Sequence, residues 1–156
     1  LRALEALIVQ EFDSKSVADI GCGTAVLAMA AARIWSSPII ASDIDQVAVD
    51  VAEANLRANG LRGRVKCIEA AGFDHPDLQA AAPFDLVFAN ILKGPLIALA
   101  PHMAAHMAPD GYAILSGILN EQADDVISVY ARNGLNLVAR GEIVEWTTLT
   151  LRKERS

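Results

Sequence analysis

The chain has 156 residues, 53% hydrophobic and 21% charged, which suits one domain with a well-filled core. Its formal net charge of -6 argues against general nucleic-acid or anionic-membrane binding, since both need a basic surface. Cys22 and Cys67 match no metal-ligand spacing and read as reduced thiols, and neither a secretory leader nor an apolar run near the roughly 20 residues of a membrane helix is evident, so a soluble cytoplasmic protein without metal is expected.

Helix and strand signals alternate with short connections. Leu4, Leu7 and Ile8 share a helical face and predict a helix over 1–12. Residues 16–20 read as a short strand ending at a glycine turn, and 25–35 as a helix apolar all round, hence buried against a sheet. A strand over 38–43 follows. Asp45 is placed to cap the next helix, which carries Val47, Val51, Ala54 and Ala58 on one face and ends at Asn59-Gly60. A third strand is expected over 64–68, then a loop with a turn of helix, then a continuously apolar fourth strand over 84–89. Residues 94–107 are helical in pattern, but Pro101 should split them. A turn at 109–111 leads to a fifth strand over 112–116. Asn120 should cap a helix ending at Asn133-Gly134, and strands near 135–142 and 145–152 have no helix between them. The expected fold is α/β: a doubly wound, Rossmann-like, seven-stranded and mostly parallel sheet with an antiparallel C-terminal hairpin.

Three segments carry chemistry. The first is Asp19-Ile20-Gly21-Cys22-Gly23-Thr24-Ala25, where a strand turns into a helix. Gly21 and Gly23 permit a tight turn and close approach of a ligand, and the helix start offers free N–H groups to an anionic group. The second is Asp43, a strand-end carboxylate able to accept hydrogen bonds from both hydroxyls of a ribose. A dinucleotide can use the same framework, but its fingerprint needs a third glycine where Val26 stands. An adenosyl cofactor of methyl transfer fits better. The third is Asn90-Ile91-Leu92, directly after the fourth strand. An in-line methyl transfer needs a nucleophile aimed about 3 Å from the methyl carbon, and the Asn90 amide oxygen can hold an amine by its N–H groups. A plain turn residue is the competing role for Asn90. His75, His102 and His106 share no ligand or triad spacing, Lys93 and Glu121 read as solvated charges that can reach the pocket rim, and Trp146 reads as a packing residue.

These segments together resemble the catalytic domain of the ribosomal protein L-eleven methyltransferase family (PrmA-like). The similarity runs through Asp19–Thr24, Ser42–Asp45, Phe84–Leu92, Pro95-Leu96 with Leu99–Pro101, Leu115–Leu119, Gln122 and Glu145-Trp146. The first block is common to many methyltransferases; the Asn-Ile-Leu and Leu-Ser-Gly-Ile-Leu blocks are more specific. The resemblance implies an S-adenosylmethionine-dependent enzyme that methylates the N-terminal amine and lysines of a large-subunit ribosomal protein. It implies that Asp19, Gly21, Gly23, Thr24, Asp43 and Asn90 serve the cofactor, with the glycines at its methionine end and Asp43 on its ribose. Asn90 would sit by the transferable methyl and the target amine, and Ile91 and Leu92 would wall the substrate cavity. Family members usually have Gly where Ala25 stands, and often an acidic or polar residue near the adenine where Glu69-Ala70-Ala71-Gly72 occurs here. They also carry a separate N-terminal substrate-recruiting domain, so residues 1–156 correspond to the methyltransferase domain alone. The alternative expectation is a stand-alone methyltransferase acting on a small molecule or another protein.

Overall fold

Strands that are apolar on both faces must be covered on both faces, and that requirement organises this chain. The computed structural model describes residues 2–155. In chain order the elements are α1 (Arg2–Val9), β1 (Val17–Ile20), α2 (Val26–Ile34), β2 (Ile39–Asp43), α3 (Gln46–Ala58), β3 (Lys66–Glu69), α4 (Pro76–Ala81), β4 (Phe84–Asn90), α5 (Lys93–His106) and β5 (Met107–Leu119). A single 3-10 turn, Asn120–Gln122, precedes α6 (Ala123–Arg132), β6 (Leu135–Ile143) and β7 (Trp146–Lys153).

The seven strands form one sheet in the order β3-β2-β1-β4-β5-β7-β6. β1 to β5 are parallel, and β7 slots antiparallel between β5 and β6. One face packs Val17, Ile39, Ala41, Leu86, Phe88 and Ile114 against Leu4 and Leu7 of α1, Ala28 and Ala31 of α2, and Ala52 and Leu56 of α3. The other packs Ala18, Ile20, Ile40, Val87, Ala89 and Leu115 against Leu78 of α4, Leu96, Leu99 and Met103 of α5, and Val126 and Tyr130 of α6. The chain therefore winds from β1 outward to β3, returns to β4 beside β1, and winds outward the other way.

Local chemistry sets several boundaries. The Asp45 side chain accepts a hydrogen bond from Val47 N–H at 3.0 Å and starts α3. The far end of α3 closes with Gly60 in the left-handed region (φ 70°), Leu61 N–H reaching Leu56 O at 2.8 Å and Gly60 N–H reaching Arg57 O at 3.2 Å.

Other expectations need correction. The first helix ends at Val9, three residues before Phe12, and its expected first residue, Leu1, lies outside the described residues. The Phe12 ring instead stands edge-on to Trp35 and Tyr112, with centroids 6.0 and 5.1 Å away. The third strand is displaced to Lys66–Glu69. Pro101 does not split α5, which runs unbroken over 14 residues. Leu96, Leu99, Ala100 and Met103 anchor it to the sheet on both sides of the proline, while the ring faces solvent. The fifth strand is much longer than 112–116, because pairing with both β4 and β7 extends it at each end. Trp146 does not pack in the interior: it is 47% exposed at the start of β7.

Asn120 is not a helix cap. Its amide oxygen accepts from Thr147 Oγ1 at 2.7 Å and its amide nitrogen donates to Val144 O at 2.8 Å. It ties the end of β5 to the β6–β7 hairpin, and α6 begins only after the 3-10 turn. A side chain that reaches forward to a distant hairpin gives the same local signal as one that caps the next helix.

Candidate active site

β1 and β4 are neighbours whose connections leave the sheet in opposite senses, β1 toward α2 and β4 toward α5. A crevice must open at their carboxyl ends. It is a cleft of about 820 Å³, and Asp19, Gly21, Gly23, Thr24, Asp43, Asn90, Ile91 and Leu92 all line it. The eight residues singled out from the sequence thus meet at one place.

The turn after β1 is built from left-handed residues: Gly21 at φ 68°, Gly23 at 53° and Ala25 at 65°. Gly21 has no room for a side chain, since a Cβ there would stand 2.4 Å from Cγ2 of Ile91. Around Gly23 the space is open, with nothing within 4 Å of such a Cβ. Two side chains brace the turn from outside. Asn55 of α3 donates to Thr24 O at 3.0 Å, and Asp43 accepts from Gly23 N–H at 3.2 Å. The other Asp43 oxygen accepts from Asp45 N–H at 3.1 Å.

Asp19 lies beneath the turn, 1% exposed, and accepts from Ala28 N–H in the first turn of α2 at 3.2 Å. Burial pushes its carboxyl up to about 7, the Ala28 hydrogen bond opposes this, and the nearby Asp43 charge adds to the rise. Asp19 therefore supports the loop more than it presents a free carboxylate. Burial and neighbouring carboxylates also push the Cys22 thiol up to about 12, which keeps it neutral and unreactive although it borders the cleft.

Sequence reasoning missed the wall supplied by α5. Pro95, Ala98, Leu99 and His102 line the cleft at helical spacing. That spacing was visible, but a cleft-facing stripe looks like a core-facing one until the helix is docked. Ala70, Ala71 and Gly72 line the end beyond Asp43 and Ile44, with Gly72 so close to Leu99 that a Cβ would come within 2.9 Å of Cδ1. Three of the other polar candidates are engaged elsewhere. Lys93 pairs with Asp125 at 2.7 Å, His75 accepts from Asp77 N–H at 3.0 Å, and His106 stacks on Phe73 at 4.7 Å between ring centroids.

The donor set suits an adenosyl ligand. Each Asp43 oxygen accepts one backbone N–H and keeps lone-pair capacity for a hydroxyl. The open space at Gly23 admits a ligand against the backbone, and Ile44, Ala70 and Leu99 offer apolar surface at the far end.

Comparison with known proteins agrees. The family profile described as ribosomal protein L11 methyltransferase (PrmA) matches residues 1–154. A ribosomal protein L11 methyltransferase of Rhodopseudomonas palustris is 44% identical over 147 residues, covering 94% of this chain and 50% of the relative. One from Mesorhizobium japonicum is 43% identical over 152 residues, covering 97% of this chain and 52% of the relative. The chain thus spans about half the length of the curated relatives it matches. Among solved structures, the ribosomal protein L11 methylase of Lactobacillus delbrueckii subsp. bulgaricus superposes with a TM-score of 0.86 at 27% identity, over 97% of this chain and 76% of that one. With its family profile matched from residue 1 to residue 154 and its cleft at the sheet's reversal point, this chain belongs to the ribosomal protein L11 methyltransferase family.

Proposed function

We propose that this domain transfers the methyl group of S-adenosylmethionine to amino groups, the N-terminal amine or lysines, of a large-subunit ribosomal protein of the L11 type. The observation that carries the reading is the meeting of the Gly21–Thr24 turn, Asp43 and Asn90 on one cleft. On this reading the enzyme works in the cytoplasm with its ribosomal substrate.

Asp43 holds the ribose with the lone pairs its two backbone contacts leave free. Gly21, Gly23 and Thr24 face the methionine end, with Asp19 fixing the turn from below. When bound, the cofactor supplies an electrophilic methyl carbon on a sulfonium. Asn90, exposed at the end of β4, accepts an N–H of the incoming amine and aims its lone pair across the cleft. The amine must be neutral to attack. Ile91 and Leu92 wall the cleft, and the half-buried Ile91 shields one side from water and so favours that form. Leu92, 73% exposed, is free to meet the substrate protein.

Calorimetric titration with S-adenosylmethionine, followed by methyl transfer to purified ribosomal protein L11, tests the reading. Saturable binding is expected, weakened by roughly 1–3 kcal/mol in Asp43→Ala, the scale of hydrogen bonds to a charged acceptor. Asn90→Ala should still bind the cofactor and lose transfer. Absence of cofactor binding overturns the proposal. Transfer to small amines but to no ribosomal protein replaces it with the small-molecule reading.

A further inference from the structure

Gly117 lies in the Leu-Ser-Gly-Ile-Leu segment, outside the cleft lining, at a break in the sheet. Leu115 pairs with Leu149 and Ile118 with Thr147, so three steps along β5 match two along β7 and one β5 residue is extra. Gly117 takes the left-handed backbone, φ +78°, that such a bulge favours. On its other side the last rung of the β4–β5 ladder pairs Asn90 with Ser116. A Cβ on Gly117 would stand 2.7 Å from Oδ1 of Asn90 and 3.3 Å from Ile91 O. Gly21 makes the matching approach from the turn after β1, where a Cβ would meet Cγ2 of Ile91 at 2.4 Å. Asn90 and Ile91 therefore pass between two glycines, and the Asn90 carboxamide rests against the one on β5.

We propose that Gly117 is a positioning residue: its missing side chain sets where the amide oxygen of Asn90 points in the cleft. This rests on the reading of Asn90 given above. The atom that blocks a Cβ is the far end of a flexible side chain, so the fold can yield there and the amide cannot stay. Ordinary contact begins at 3.4 Å, so a methyl group must displace Oδ1 by about 0.7 Å. A misplacement near 1 Å costs about 100-fold in rate, so a fall of roughly 10- to 100-fold is expected for Gly117→Ala. The alternative is that Gly117 only relieves backbone strain at the bulge. Gly117→Asn separates the two, because Asn tolerates the left-handed region yet carries a Cβ.

The experiment is a double-mutant cycle on methyl transfer to ribosomal protein L11, with cofactor affinity by calorimetry and the Asn90 carboxamide followed by NMR. The proposal expects kcat to fall in Gly117→Ala and Gly117→Asn while cofactor Kd stays within about threefold. The Asn90 carboxamide resonances should move, and Gly117→Asn combined with Asn90→Ala should be no slower than Asn90→Ala alone. Rate losses that multiply, or carboxamide resonances that stay in place while Asn90→Ala is inactive, overturn the role of Gly117. Full activity in Asn90→Ala defeats the reading of Asn90 itself.

Discussion

Asp19 Oδ2 lies 3.2 Å from the amide nitrogen of Ala28, joining the end of β1 to the first turn of α2 directly beneath the glycine turn. The contact holds the loop with an ionisable group that is 1% exposed, and its price is a carboxyl that prefers to be neutral.

The sign of the resulting pH dependence follows from linkage. Burial raises the Asp19 carboxyl from 3.8 to about 7 in the folded protein, so between these values the folded state holds a proton that the unfolded state has released. Stability from this group is full below 3.8 and is lost as pH rises through about 7. Asp19→Asn keeps an oxygen for Ala28 N–H and cannot ionise. Urea unfolding should show the variant gaining on the wild type by on the order of 2 kcal/mol between about pH 5 and about pH 8. A difference that does not change with pH would mean that Asp19 ionises freely.

Ala25 precedes α2 with φ 65° and ψ 26°, a left-handed conformation that L-residues adopt at a cost of about 1–2 kcal/mol. Ala25→Gly should change stability by no more than about 1 kcal/mol, since relief of strain offsets the added freedom of the unfolded chain. Ala25→Val should cost more than about 2 kcal/mol, because a β-branched residue fits this region poorly. Thermal melts of both variants decide it: equal tolerance of Gly and Val would place Ala25 in ordinary helix.

Gly21→Ala combines a left-handed φ of +68° with a Cβ 2.4 Å from Ile91 Cγ2. The variant should lose about 1–3 kcal/mol of stability, the usual cost of overpacking. Shortening Ile91 to Ala should recover part of it in the double variant. Chemical denaturation of the set measures the coupling, and strict additivity would mean that backbone strain alone is responsible.

The role of Asn120 gives a sharp contrast. At a helix cap Asp replaces Asn with little loss. As a hairpin tie, Asn120→Asp removes the donor to Val144 O and sets two acceptors against each other, for a cost of about 1–2 kcal/mol. Unchanged unfolding midpoints in Asn120→Asp would restore the capping role.

The glycine turn, Asp43 and the Asn-Ile-Leu segment were legible because each is a short, contiguous pattern at a strand end, where α/β topology leaves little choice of position. The antiparallel C-terminal hairpin was legible as well, since two strands joined without a helix must run antiparallel, but the insertion of β7 between β5 and β6 was not. The cleft wall from α5 was not, because Pro95, Ala98, Leu99 and His102 acquire their surroundings only when the helix is laid on the sheet. Nor was the fate of Pro101, since tertiary anchors on both sides of the proline outweigh its local effect.

By itself, then, the sequence determined the order and kind of the elements, the doubly wound sheet and the segments that would meet at its reversal point, all of which follow from periodicity, turn chemistry and connection rules. Only the tertiary structure decided that Asp19 is buried beneath the loop, that Asn120 binds the hairpin, and that Gly117 lies against Asn90. Those relations join residues between 9 and 27 positions apart, and such pairs meet only after the sheet has closed around them.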